Sequence, residues 1–89
     1  MPTVKIPPPY QGPTNGVGTI PVSGGTVREC VEAVDALHPG FALQVFDAGG
    51  RVHKFVKLFV NGDEIERSNA DHGVADGDEI EILAAIAGG

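Results

Sequence analysis

Thr26-Val27-Arg28-Glu29-Cys30-Val31-Glu32-Ala33-Val34-Asp35-Ala36-Leu37 is the stretch on which the reading of the fold turns. Thr26 and Glu29 stand three apart, the spacing of a capping box, in which a threonine oxygen and a glutamate carboxylate satisfy the first free amides of a helix. Val27, Cys30, Val31, Val34 and Leu37 then recur at helical spacing as one apolar stripe, with Arg28, Glu32 and Asp35 turned away from it. His38-Pro39-Gly40 stops the helix. Working outward, Thr3-Val4-Lys5-Ile6 alternates polar and apolar before Pro7-Pro8-Pro9, and Thr19-Ile20-Pro21-Val22 reads as a second short strand closing a hairpin. The segment between them, 11–18, is a Gly/Pro/Asn-rich loop. Residues 41–46 form a short apolar patch over the end of the core, and 47–50 a turn. A strand over 55–60 runs into Asn61-Gly62, a type I′ hairpin signal, and Glu64-Ile65-Glu66 returns. Asp76-Gly77-Asp78 turns the chain into a final half-buried strand, 79–83. Two strands before the helix exclude a doubly wound βαβ series. The class is α+β, a β-grasp arrangement: a mixed sheet with its first and last strands side by side in the centre and one main helix packed across one face. Residues 1–83 make the domain and 84–89 a flexible tail.

Composition sets the functional limits. The chain has 89 residues, six Lys and Arg against twelve Asp and Glu, and a net charge of −6. That length supports a single domain that buries only about 60% of its unfolded surface, too thin a core for an enclosed small-molecule active site. The acidic balance argues against nucleic acid, and points to partners with a basic surface. One cysteine excludes an internal disulfide, a cysteine zinc site and a four-cysteine iron–sulfur cluster. Cys30 falls on the helix stripe and reads as a core residue. His38, His53 and His72 have no metal-ligand spacing, so no metal is expected. Glu79 and Glu81 share the polar face of their strand and read as solvated rather than as an acid pair. Gly24-Gly25 before the helix lacks the rest of a phosphate loop. Nothing resembles a membrane span or a secretory leader, so a soluble, cytoplasmic chain that is not an enzyme is expected.

The chemistry is concentrated at the end, in Gly88-Gly89. Two glycines make a thin strip of backbone with no Cβ to clash, and they leave the final carboxylate unhindered. Ile86 and Ala87 continue that strip, which suits threading through a narrow channel. With this ending and this element order, the chain resembles the ubiquitin-like sulfur carrier proteins, the MoaD/ThiS family. It is most similar to the carriers of actinobacterial cysteine biosynthesis. Val52-His53-Lys54-Phe55-Val56, Leu58-Phe59-Val60-Asn61, Ala75-Asp76-Gly77-Asp78 and the stretch from Ile82 to Gly89 carry the likeness. Molybdopterin-type carriers share Asp76-Gly77-Asp78-Glu79 and the two glycines but usually have prolines where this chain has Ala84 and Ala85.

The resemblance implies that an activating enzyme of the ubiquitin-activating type uses ATP to adenylate the Gly89 carboxylate. Sulfide, or persulfide from a sulfurtransferase, then displaces AMP, and the resulting thiocarboxylate donates sulfur to an acceptor enzyme. The carrier itself binds no cofactor and is a substrate. A molybdopterin-type sulfur carrier, a protein modifier joined to lysines, and a plain β-grasp interaction module are the alternatives. Strand alternation turns Val56, Leu58 and Val60 inward and Phe55, Lys57 and Phe59 outward, with Leu83 beside them on the last strand. Phe59 and Leu83 would make an apolar patch leading to the tail, a partner site; Leu83 also matches a docking position of molybdopterin-type carriers.

Overall fold

The computed structural model describes residues 1–84. Five strands form one mixed sheet: β1 (Thr3–Lys5), β2 (Thr19–Pro21), β3 (Val56–Val60), β4 (Asp63–Ile65) and β5 (Glu79–Ala84), in the order β2-β1-β5-β3-β4. β1 and β5 are parallel, with Val4 opposite Ile80, and every other pairing is antiparallel. The expected hairpin of β1 with β2 and the expected central placing of the first and last strands are both present.

The main helix, α1 (Val27–Leu37), lays Val27, Cys30, Val31 and Val34 into a core shared with Val4, Val56, Leu58, Ile80 and Ile82, all essentially inaccessible. These side chains alternate along their strands with exposed ones, which is why a single face of the sheet is dry. A four-residue helix, α2 (Ala42–Val45), follows, and Phe41, Val45 and Phe46 close the end of the core.

Two local expectations need correcting. Leu37 is 62% exposed rather than part of the buried stripe. At 3.6 residues per turn it sits about 70° round the helix from the centre of the other four, and Phe41 and Val45 already fill that end. Phe55 precedes β3 instead of opening it. The capping box also takes a shifted form. Thr26 Oγ1 accepts from the Glu29 amide at 3.1 Å, but the Glu29 carboxylate reaches back to the Gly25 amide at 2.8 Å. At the helix C-terminus, Asp35 accepts from the Gly40 and Ala42 amides and so fixes the passage into α2.

The β3–β4 turn bears out the type I′ expectation, since Asn61 and Gly62 both have positive φ, 51° and 87°. Asn61 also ties this turn to the start of β5. Its side-chain amide donates to Asp78 Oδ1 at 3.0 Å, and its Oδ1 accepts from the Glu79 amide at 2.9 Å. The other Asp78 oxygen accepts from the Ala75 amide at 2.8 Å.

Two predictions follow from this packing. Leu58→Ala, which empties a fully buried position in β3, should cost about 2–4 kcal/mol in a urea unfolding titration, and Val31→Ala in α1 a similar loss at the lower end of that range. The second concerns acid. The amide of Ala75 and then the Asn61 side chain hold the Asp78 carboxyl below its usual range, as the Arg51 and Gly49 amides do for Asp47. A depressed carboxylate stabilises the fold fully above its ordinary pKa of 3.8 and loses that contribution as pH falls through the lower folded value. Melting temperature should therefore fall through that acid window, and Asp78→Asn should shallow the fall.

Candidate functional site

Alternation along β3 and β5 decides what the outer face of the sheet presents. Lys57 stands opposite Leu83, and Phe59 opposite Glu81 on one side and Glu64 on the other. Phe59 and Leu83 are thus diagonal neighbours, a separation of about 7–8 Å that large side chains bridge. Leu83 is 36% exposed, Phe59 is half-buried and Lys57 is exposed. The structure brings these three together as expected. Leu83 also borders a shallow cavity of about 90 Å³ shared with Lys5, Pro7 and Glu81.

Phe55 is exposed at the end of the same strand, with the Lys54 ammonium 5.1 Å from the centre of its ring. It does not lie in the pleat beside Lys57. It precedes Val56, whose partner across the sheet is Ala84, the last described residue of β5. Ile86, Ala87, Gly88 and Gly89 lie outside the described residues. β5 itself pairs through Ala84, so the outer face continues as ordered strand up to the last described residue.

The rest of this face is polar. Lys5 Nζ meets Glu79 Oε1 at 2.8 Å, and that hydrogen bond, reinforced by the charge of Glu79, raises the lysine's pKa. The pairing was not legible in the sequence, because it depends on the parallel register of β1 on β5. It is an exposed ion pair and contributes little to stability. With Lys5 between them and the solvent around them, Glu79 and Glu81 make a solvated face, in keeping with the sequence reading.

The remaining candidates for chemistry are structural. Cys30 is buried, and burial, followed by the charge of Glu29, pushes its thiol up, away from the reactive thiolate. His38 caps α1 through its backbone amide. His53 Nε2 lies 3.1 Å from the Leu43 carbonyl, and the His72 carbonyl accepts from the Val27 amide. Among the described residues no group of three or more His, Cys, Asp or Glu could hold a metal. None of their helices is long and apolar enough to cross a membrane.

Comparison with known proteins agrees with this fold. The model of the ThiS family matches residues 15–89. The sulfur carrier protein CysO of Mycobacterium tuberculosis (strain H37Rv) is 32% identical over 90 residues, covering 98% of this chain and 97% of its own. A chain in the crystal structure of the Amycolatopsis orientalis BexX/CysO complex superposes with a TM-score of 0.90 at 31% identity, over the full length of both. The crystal structure of M. tuberculosis CysO gives 0.88 at 29% identity, covering 97% of this chain and all of the other. The curated relatives are named as carriers rather than as enzymes, consistent with a chain that is not itself a catalyst. A five-stranded mixed sheet with one main helix behind it, a family match over residues 15–89 that takes in Gly88 and Gly89, and 32% identity to a CysO carrier over nearly the whole chain place the chain in the ThiS family of ubiquitin-like β-grasp proteins.

Proposed function

We propose that this protein is a sulfur carrier whose working group is the carboxylate of Gly89. The observation that carries the reading is the likeness to the CysO carriers over nearly the whole chain, with a family match that takes in Gly88-Gly89. A carboxylate is a poor electrophile. An activating enzyme supplies ATP, the Gly89 carboxylate attacks its α-phosphorus, pyrophosphate leaves, and an acyl-adenylate results. Hydrosulfide then attacks the acyl carbon. A C–S bond forms, the C–O bond to AMP breaks, and a proton is lost, leaving a thiocarboxylate. Where the donor is a sulfurtransferase persulfide, the first product is an acyl disulfide that a second thiol must cleave.

The thiocarboxylate is a soft nucleophile at neutral pH and passes its sulfur to an acceptor enzyme in a biosynthetic pathway, with cysteine or another sulfur-containing metabolite as product. ATP belongs to the activating enzyme; the carrier contributes no cofactor of its own. The site of action is the cytoplasm, where ATP and sulfur donors are at hand. Phe59 and Leu83, with Lys57 and Phe55 beside them, form the surface that docks the activating enzyme. Ile86 and Ala87 lead the glycines into its channel.

The decisive measurement is the intact mass of the protein purified gently from its own host, beside a Gly89-deleted control. A species heavier by the exchange of one oxygen for sulfur, absent from the control, is the expected result. Only unmodified protein after incubation with ATP, sulfide and the host's activating enzyme would overturn the reading, and lysine-linked conjugates would reassign the chain to protein modification. A second prediction tests the docking surface. Phe59→Ala and Leu83→Ala should each raise the KM for the carrier in ATP–pyrophosphate exchange by about tenfold, as the loss of a buried interface anchor does, with unchanged circular dichroism.

A further inference from the structure

In an acidic chain, the positive charge is collected in one place. An open groove of about 650 Å³ lies between the N-terminal part of α1, the turn and bridge over 47–54, and the 3₁₀ turn Arg67–Asn69. Arg28, Arg51, Lys54 and Arg67 line it, four of the six Lys and Arg in the protein, with Asp47 as the one carboxylate among the lining residues. Asp71 is paired with Arg28 beside it, and the two other lysines share the rest of the surface with the remaining ten carboxylates.

The groove is a built feature. Arg28 donates from Nη1 to the Gly50 carbonyl at 2.7 Å and from Nε to Asp71 Oδ1 at 3.0 Å, and its guanidinium lies 4.8 Å over the Phe46 ring. Its backbone amide donates to the Ala70 carbonyl. One side chain therefore clamps both walls to the helix. Asp47 is turned into its own loop, accepting from the Gly49 and Arg51 amides. Arg51, Lys54 and Arg67 are exposed on the rim, in no ion pair among the described residues.

We infer that this groove receives an acidic segment of a partner protein, seated beside the end of β5. Three separated rim cations match several carboxylates carried on a chain. A small phosphate ligand would draw on converging backbone amides as well as on side-chain cations. Here the amides of Gly49, Gly50, Arg51 and His53 are all donated within the protein. The position follows from the register. Lys54 stands two residues before Val56, which pairs with Ala84, so the groove wall and the last described residue of β5 lie at one end of β3. The acidic remainder of the surface repels such a segment elsewhere and steers it to this groove. The inference stands on the groove and not on what Gly89 carries.

The test is a titration of the full chain with a short polyglutamate peptide, followed by amide chemical shifts. Saturable shifts confined to Arg28, residues 50–54 and residues 67–68 are expected. Arg51→Glu with Arg67→Glu should weaken binding about tenfold or more, as reversal of close charge partners does. Lys5→Glu should leave it unchanged. Both rim arginines are exposed, so an unchanged melting temperature checks that the double variant folds. Shifts centred on Lys5 and Lys57, absence of binding, or an affinity indifferent to the double variant would overturn the inference. So would pyrophosphate occupying the groove in preference to the peptide, which would mark it as a phosphate site.

Discussion

The parallel pairing of β1 with β5 is the constraint from which the rest of this structure follows. It sets Val4 against Ile80 and places the last strand in the middle of the sheet rather than at an edge. A parallel pair cannot be closed by a tight turn, so the chain between the two must cross over, and α1 makes that crossing above the inner face. In a small domain, the helix then has only one surface to cover. Val27, Cys30, Val31 and Val34 seal it against Leu58, Ile80 and Ile82. The opposite face is left to solvent and to partners, and β5, flanked on both sides, leads from it towards the closing glycines.

The same constraint divides the surface electrostatically. On the outer face Lys5 is engaged by Glu79, and Glu64 and Glu81 flank Phe59, so the apolar patch of Phe59 and Leu83 has an acidic border. On the helix side Arg28 gathers the 47–54 and 67–71 segments into a basic concavity. A net charge of −6 describes neither surface. It keeps free copies of the protein apart, while the identity of a partner depends on which local field it meets.

What could be read from the sequence was whatever depends on near neighbours in the chain. Thr26 with Glu29, the alternation of 56–60 and 79–83, and Asn61-Gly62 each carry their geometry within a few residues, and each appears in the structure. Leu37 misled because helical spacing does not say where the core ends, and Phe41 had already filled that end. The outward set of Lys57, Phe59 and Leu83 was legible because alternation suffices once one face is known to be buried. The basic groove was not legible. Arg28, Arg51, Lys54 and Arg67 come from three separate stretches, and only the folded chain brings them together.

Register is the step on which the proposed docking surface depends. A slip of one residue in β5 would turn Leu83 inward and put Ile82 on the outer face. Hydrophobic burial opposes the slip, but Ile80 and Ile82 alone give a short strand few anchors. The side-chain links at its start supply what is missing. Asn61 is held in positive φ by the β3–β4 turn, so its amide and carbonyl are already fixed when they meet Asp78 and the Glu79 amide. The Asn61 backbone amide donates to the Glu79 backbone carbonyl as well, at 2.8 Å. A tight turn at the far end of β3 thereby sets which residues β5 presents at its other end, beside Phe55. The links that Asn61 makes at the start of β5 thus set the facing of Glu81, opposite Phe59, and of Leu83 at the strand's other end.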